Sequence, residues 1–258
     1  MERIDKLLSD CGLGTRSDVK KLIRKGLIRV DDVVVTDPGA RISPDTQTIY
    51  YNKEPLHYEQ FLYYVLHKPA GVVSAVTDAN ERTVMSYVKG VPVKNCFPVG
   101  RLDKDTEGLL LITNNGALSH NLLSPKKHIE KCYAALVKGT LPDDAAAQFA
   151  QGIAIGDDTP TLPAKLQLPD TEDIFKPFSS YYQEVRQKYN ESLLTPVLIV
   201  LHEGRYHQVK RMIQALGCEV VYLKRLSMGA LTLDSQLKPG EFQQLTQKEI
   251  ERIFASSL

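Results

Sequence analysis

The sequence predicts an α+β protein built as two unequal units, the larger around a largely antiparallel sheet. Three observations lead there. Strand-like apolar runs mix with helix-spaced apolar stripes, without the regular alternation that a parallel sheet requires. The polar stretch "NKEPLHYEQF" at 52–61, broken by Pro55, interrupts the patterns on either side and reads as a linker. At 258 residues the chain can bury a sizeable core in one large or two unequal domains. The expected division is 1–51, linker 52–61 and 62–258.

In the first unit, Ile4, Leu7, Leu8 and Cys11 fall at helical spacing. Thr15 and Asp18 then stand in capping-box positions, Val19, Leu22 and Ile23 continue an apolar stripe, and Gly26 is placed to end that helix. "LIRV", Asp31-Asp32 and "VVV" read as two short strands around a turn. Arg16, Lys20, Lys21, Arg24, Lys25 and Arg29 crowd this stretch against the one acid Asp18. Arg16, Lys20 and Arg24 repeat at i, i+4 and share a helix face. Like charges at that spacing disfavour an isolated helix by a few tenths of a kcal/mol per pair, roughly. Such a face is either simply solvated or serves an anionic partner.

In the second unit, "LYYVLHKPAG" reads as a strand ending at a Pro/Gly turn, and "GLLLIT" as a buried strand followed by the turn pair Asn115-Gly116. "CYAALVKG", "TPVLIVLHEG" and "GALTLD" are further strand candidates. "HQVKRMIQALG" reads as a helix, with Val209, Met212, Ile213 and Leu216 on one face and Gly217 as its stop. Residues 170–192, polar with interspersed aromatics, read as an inserted loop or short helix without an assigned role.

The chain is 43% hydrophobic and 24% charged, ordinary for a globular protein. Its net charge of +1 does not announce a nucleic-acid partner, so evidence for one must come from local clustering. Four scattered cysteines without a C-x-x-C pair fit a reducing compartment. The charged start "MERIDKLLSDCG" has no signal-peptide core, and no apolar run approaches the ~20 residues of a membrane span. The cytoplasm is the expected location, with no membrane partner.

No metal set stands out: "HEGRYH" is not H-E-x-x-H, and His202 and His207 lie five apart, off a common helix face. There is no Walker loop, no G-x-G-x-x-G and no G-x-S-x-G elbow. What remains is "GRLDKDTEGLLLITNNG" at 100–116, which sets Asp103 between Arg101 and Lys104 just before a dense apolar run. A carboxylate can act as covalent nucleophile or general base if a nearby cation keeps it ionised. Two basic clusters are available: Lys126, Lys127 and Lys131 before Tyr133, and Arg205, Lys210 and Arg211.

The 100–116 stretch resembles the signature G-R-L-D-x-x-T-x-G-L-L-L-x-T of the RsuA-type pseudouridine synthases, matching it at many fixed positions. "LHKPAG", "EKCYAALVKG" and "EGRYHQVKRM" resemble further segments of that family, and "RIDKLLSDCGLGTRSDVKKLIRKGLIRVDD" resembles the S4 RNA-binding domain that commonly precedes it. The resemblance covers nearly all of the chain apart from 170–192. It implies a small S4-like α/β RNA-binding domain followed by a synthase domain with a largely antiparallel sheet. It implies isomerisation of a uridine in ribosomal RNA to pseudouridine, with no cofactor and no metal. The family's catalytic aspartate maps onto Asp103, its active-site aromatic onto Tyr133 and its basic partner onto Lys210, arginine in many relatives. Lysine offers a cation there without a rigid two-pronged pairing.

In this reading Asp103 must be ionised and close to the ribose, whether it attacks the sugar or removes a sugar proton. Lys210 holds its charge, and Tyr133 stacks on the uracil. Arg101 contacts the backbone or splints the flipped nucleotide. RNA contacts are further assigned to Arg16, Lys20, Lys21 and Arg24 in the first unit and to Lys68, Arg205 and Arg211 in the second. The wording of "SPKKHIEKCY" and "EGRYHQVKRM" is closest to the small-subunit branch, so the expected partner is small-subunit (16S) RNA or an assembly intermediate, bound by a monomer. The alternatives are a large-subunit (23S) synthase and a non-catalytic RNA-binding assembly protein. A glycosidase would need a second carboxylate ~5–9 Å from the first, for which Asp105 and Glu107 are the neighbours in sequence.

Overall fold

The structure is a computed structural model that describes residues 1–44, 46–56, 61–189 and 193–257. It divides into two compact units, one formed by Met1–Leu62 with Gly90–Asn95, the other by Tyr63–Lys89 with Cys96–Leu258.

The first unit runs β1 (Glu2–Arg3), α1 (Ile4–Asp10), α2 (Arg16–Arg24), β2 (Ile28–Val30), β3 (Val33–Val34), β4 (Arg41–Ile42), β5 (Ile49–Tyr51) and β6 (Glu54–Pro55). An antiparallel sheet in the order β3-β2-β5-β6 carries the two helices. Ile4, Leu7 and Leu8 of α1 meet Val19 and Ile23 of α2 and Ile28 of β2, all fully buried. As its sequence predicts, α2 is capped by Thr15, whose hydroxyl accepts from the Asp18 N–H at 3.3 Å. Arg16, Lys21 and Arg24 lie on the exposed side, and the half-buried Lys20 reaches to 4.0 Å from Asp5.

The expected linker begins too early. Asn52 and Lys53 take positive φ of 50° and 73° and reverse the chain, so that Glu54–Pro55 pairs with Tyr50 and Tyr51. Residues 57–60 of that stretch lie outside the described residues. The return of Gly90–Asn95 to this unit left no mark in the local pattern. It rests on a distant partner, since Lys94 Nζ pairs with Asp10 at 2.7 Å and donates to Ser9 Oγ at 2.8 Å.

The second unit contains β7 (Tyr63–Lys68), β8 (Phe97–Pro98), β9 (Glu107–Thr113), α3 (Gly116–Leu123), β10 (Lys131–Lys138), α4 (Ala145–Gln151), β11 (Lys165–Gln167), α5 (Ser180–Lys188), β12 (Leu194–Leu201), α6 (Gln208–Ala215), β13 (Glu219–Met228), β14 (Leu231–Thr232), β15 (Phe242–Gln244) and α7 (Gln247–Ser257). The sheet order is β11-β12-β10-β13-β9-β7-β15, with β8 on β9 and β14 on β13. Every ladder is antiparallel except β9 with β13, which run parallel at Lys224↔Glu107 and Arg225↔Gly108.

That junction explains both Gly108 and a strand that apolar patterning overlooks. Gly108 has φ +109°, and a Cβ there would sit 2.2 Å from the Arg225 carbonyl oxygen, so only glycine fits. β13 hides behind its charges "LKR", yet Lys224 and Arg225 are buried. Lys224 Nζ donates to the carbonyls of Phe175 and Lys176 at 3.0 and 2.9 Å, and Arg225 Nε to that of Leu109 at 2.8 Å. Buried Glu107 accepts from Ser179 Oγ at 2.7 Å and Tyr222 Oη at 2.6 Å. Buried polar groups are tolerated when so paired.

Two expectations change here. Asn115 does not turn a hairpin: its Oδ1 accepts from the Leu118 N–H at 3.0 Å and caps α3, while Nδ2 donates to Tyr63 Oη at 3.0 Å. The strand expected in "GALTLD" shrinks to Leu231–Thr232. Within 170–192, the helix alternative holds as α5. Ser179 caps it, and Tyr182 packs against Phe175 and Tyr222, with ring centroids 5.1 Å away in both cases. Residues 190–192 lie outside the described residues.

Candidate active site

The loop before β9 borders a cleft of about 580 Å³, walled also by β10 and the start of α6. The backbone that carries Asp103 is held from below. Lys68, at the end of β7, is fully buried, and its Nζ donates to the carbonyls of Pro69 (3.1 Å), Asp103 (2.9 Å), Lys104 (3.2 Å) and Thr106 (2.7 Å). Ser74 Oγ donates to the Leu102 carbonyl at 2.9 Å and accepts from its N–H at 3.1 Å. The RNA contact expected of Lys68 is therefore corrected: its ammonium faces four carbonyls inside the protein and orders the loop. Burial lowers its pKa to about 8, against the pull of Asp105, Glu107 and Asp103.

The Asp103 side chain is 24% exposed and lies between two nitrogens, one from the residue just before α6 and one from its first turn. Lys210 Nζ is 3.3 Å from Oδ2, and His207 Nε2 is 3.4 Å from Oδ1. Lys210 lies nearer still to Asp105, at 2.6 Å from Oδ1. Burial works against the Lys210 ammonium, but the ion pairs with Asp105 and Asp103 raise its pKa above the usual lysine value. Asp105 and His207 were not assigned to the site from sequence. The one available signal is that His207 precedes Lys210 by a single helical turn.

Tyr133 borders the same cleft from β10, 9% exposed. Beside it, Lys131 is buried, donates to the Ile129 carbonyl at 3.0 Å, and has a pKa lowered to about 8 by burial and by the charge of Arg225. Arg225 pairs in register with Tyr133, and its buried Nη2 has no hydrogen-bond partner among the described residues. Two basic side chains, Lys131 and Arg225, thus line the cleft together with the phenol.

Other expected contacts sort by what their charges already do. Arg101 is exposed on the cleft lip. Arg205 is committed inside the protein: Nε to Glu203 at 3.0 Å, and Nη1 and Nη2 to the carbonyls of Thr159 and Pro160 at 2.7 and 2.8 Å. Arg211 likewise binds Asp157 and the carbonyls of Ile155 and Tyr206. With their donor forks taken up, these two arginines brace the loops around α6 instead of offering a free guanidinium to RNA.

A partly exposed carboxylate flanked by an ammonium and an imidazole, in a cleft that an aromatic side chain also lines, can serve as nucleophile or base toward a planar, polar substrate. The class this fold and cleft define is made specific by comparison with known proteins. The family described as RNA pseudouridylate synthase matches residues 62–215, and the S4 domain matches residues 2–47. An uncharacterized RNA pseudouridine synthase of Bacillus subtilis is 40% identical over 249 residues, 96% of either chain. Ribosomal small subunit pseudouridine synthase A of Vibrio cholerae is 36% identical over 98% of this chain and 99% of its own. Ribosomal large subunit pseudouridine synthase B of Bacillus subtilis is 35% identical over 99% and 96%. A crystal structure of a pseudouridylate synthase superposes with a TM-score of 0.63 at 33% identity, covering 98% of this chain and 100% of that one.

The chain belongs to the RNA pseudouridylate synthase family, with an S4 RNA-binding domain at its front. It is an isomerase that converts uridine in RNA to pseudouridine. Among the described residues, no helix is long and apolar enough to cross a membrane.

Proposed function

We propose that Asp103 starts the isomerisation, that Lys210 keeps it ionised and oriented, and that Tyr133 stacks on the uracil of a uridine in 16S ribosomal RNA. The observation that carries this reading is the placement of the Asp103 carboxylate, 3.3 Å from an ammonium and within the cleft that Tyr133 lines. The N-glycosidic bond breaks, the uracil turns, its C5 bonds to the sugar carbon, and the C5 proton is exchanged for one on the freed ring nitrogen. Substrate and product are isomers, so no net oxidant or reductant is required. Attack on the sugar and removal of a sugar proton both need the ionised carboxylate. Flipping the nucleotide costs a few kcal/mol, about what several phosphate contacts offset. The exposed arginines of α2 are suited to supply them, while the cleft handles one base.

Support for the small subunit comes from the wording of the two basic motifs and from the small-subunit relative aligned over 98% of this chain. The large-subunit relative at 35% identity makes 23S RNA the second reading, so the test must read both. Pseudouridine mapping of ribosomal RNA with and without the active chain should show one 16S uridine that depends on it. Asp103→Asn should abolish that mark and leave RNA affinity within about twofold. Persistent turnover by the purified variant removes Asp103 from its role, and a mark confined to 23S RNA reverses the choice of subunit.

A further inference from the structure

Tyr206 is 75% exposed at the cleft, next to the site and unused by the chemistry above. Its ring is not loose. It stacks on the imidazole of His207, with centroids 3.8 Å apart and planes 18° from parallel. Adjacent side chains in an extended backbone point to opposite sides, so this pairing needs a special conformation. His207 supplies it with a left-handed φ of +48°, a strained choice for a residue other than glycine. Arg211 reinforces the geometry by donating to the Tyr206 carbonyl at 3.1 Å. The imidazole under the stack also lies 3.4 Å from Asp103 Oδ1. A flat aromatic face is thus backed by an imidazole, open to solvent and one ring's thickness from the residues that address the ribose.

We infer that the Tyr206–His207 stack is a subsite for a nucleobase, the one carried by the nucleotide immediately flanking the target uridine. The inference rests on the reading of the cleft as the uridine site. Once the target base is flipped, a neighbour loses its stacking partner and exposes a π face. An aromatic side chain fixed beside the cleft replaces that partner, and does so without reading sequence, because every base has such a face.

The test uses the full chain carrying Asp103→Asn, so that bound RNA is not consumed, and a synthetic RNA fragment around the mapped uridine. The fragment is prepared intact and with an abasic ribose at each flanking nucleotide in turn, and affinity is read by fluorescence anisotropy. Tyr206→Ala should weaken binding of the intact fragment by about 5- to 150-fold, and Tyr206→Phe should remain within about twofold of the parent. With one of the two abasic fragments, parent and Tyr206→Ala should bind alike. Equal losses on intact and both abasic fragments, no loss at all, or a loss with Tyr206→Phe as large as with alanine would each overturn the subsite. Failure of the underlying reading appears separately, as absence of pseudouridine when the unmutated chain meets ribosomal RNA, and it would remove the subsite as well.

Discussion

Lys68→Met is the perturbation that most directly tests how the loop around Asp103 is built. Methionine refills the buried volume but cannot donate. Of the four carbonyls that the ammonium serves, two keep a second donor: Asp103 O accepts from the Thr106 N–H at 3.1 Å and Lys104 O from the Gly71 N–H at 2.7 Å. The carbonyls of Pro69 and Thr106 lose a charge-assisted bond, at about 1–3 kcal/mol each for a buried acceptor left short. Relief of the ammonium's burial penalty, visible in its pKa of about 8, offsets part of that sum. A net loss of ~2–4 kcal/mol should lower the Tm by about 5–15 °C for a unit of this size. The freed loop should also let the carboxylate shift, and a displacement of about 1 Å is enough for a loss on the order of 100-fold in rate. Differential scanning calorimetry and single-turnover pseudouridine formation read the two effects. A Tm within about 2 °C of the parent, together with unchanged turnover, would refute the view that Lys68 orders the loop.

Two other perturbations follow from burial and exposure. Arg16→Ala with Arg24→Ala removes exposed charge from α2, so Tm should hardly move, while the slope of log affinity against log salt flattens by about 1 per arginine; an unchanged slope means the face is only solvated. His67 is fully buried, with Nδ1 donating to the Leu237 carbonyl at 2.6 Å and Nε2 without a hydrogen-bond partner among the described residues, and burial lowers its pKa to about 4. Below pH 6.5 the unfolded chain takes up a proton that the folded one refuses until pH 4, so stability falls on acidification across that window by on the order of 3 kcal/mol. His67→Gln should flatten this part of the stability–pH curve measured by chemical denaturation, and a curve parallel to the parent's would contradict it.

The sequence by itself determined many of the local elements and the chemistry-bearing residue types. Near-continuous apolar runs marked β7, β9, β10 and β12, Thr15 and Gly26 bracketed α2, and the stretch around Asp103 carried enough fixed positions to name a family. These signals are local, because pattern and capping depend on residues a few positions apart. Only the tertiary structure decided which charges are free. Lys68, Lys224 and Arg225 look like surface cations in the sequence, yet each is buried because carbonyls from distant segments converge on it. His207 and Asp105 reach the Asp103–Lys210 pair because α6 docks against a loop about a hundred residues earlier in the chain. Whether a polar side chain is solvated, buried or poised for reaction depends on the partners that folding brings to it, and those partners are set by the long-range pairing of the sheet, which no local period encodes.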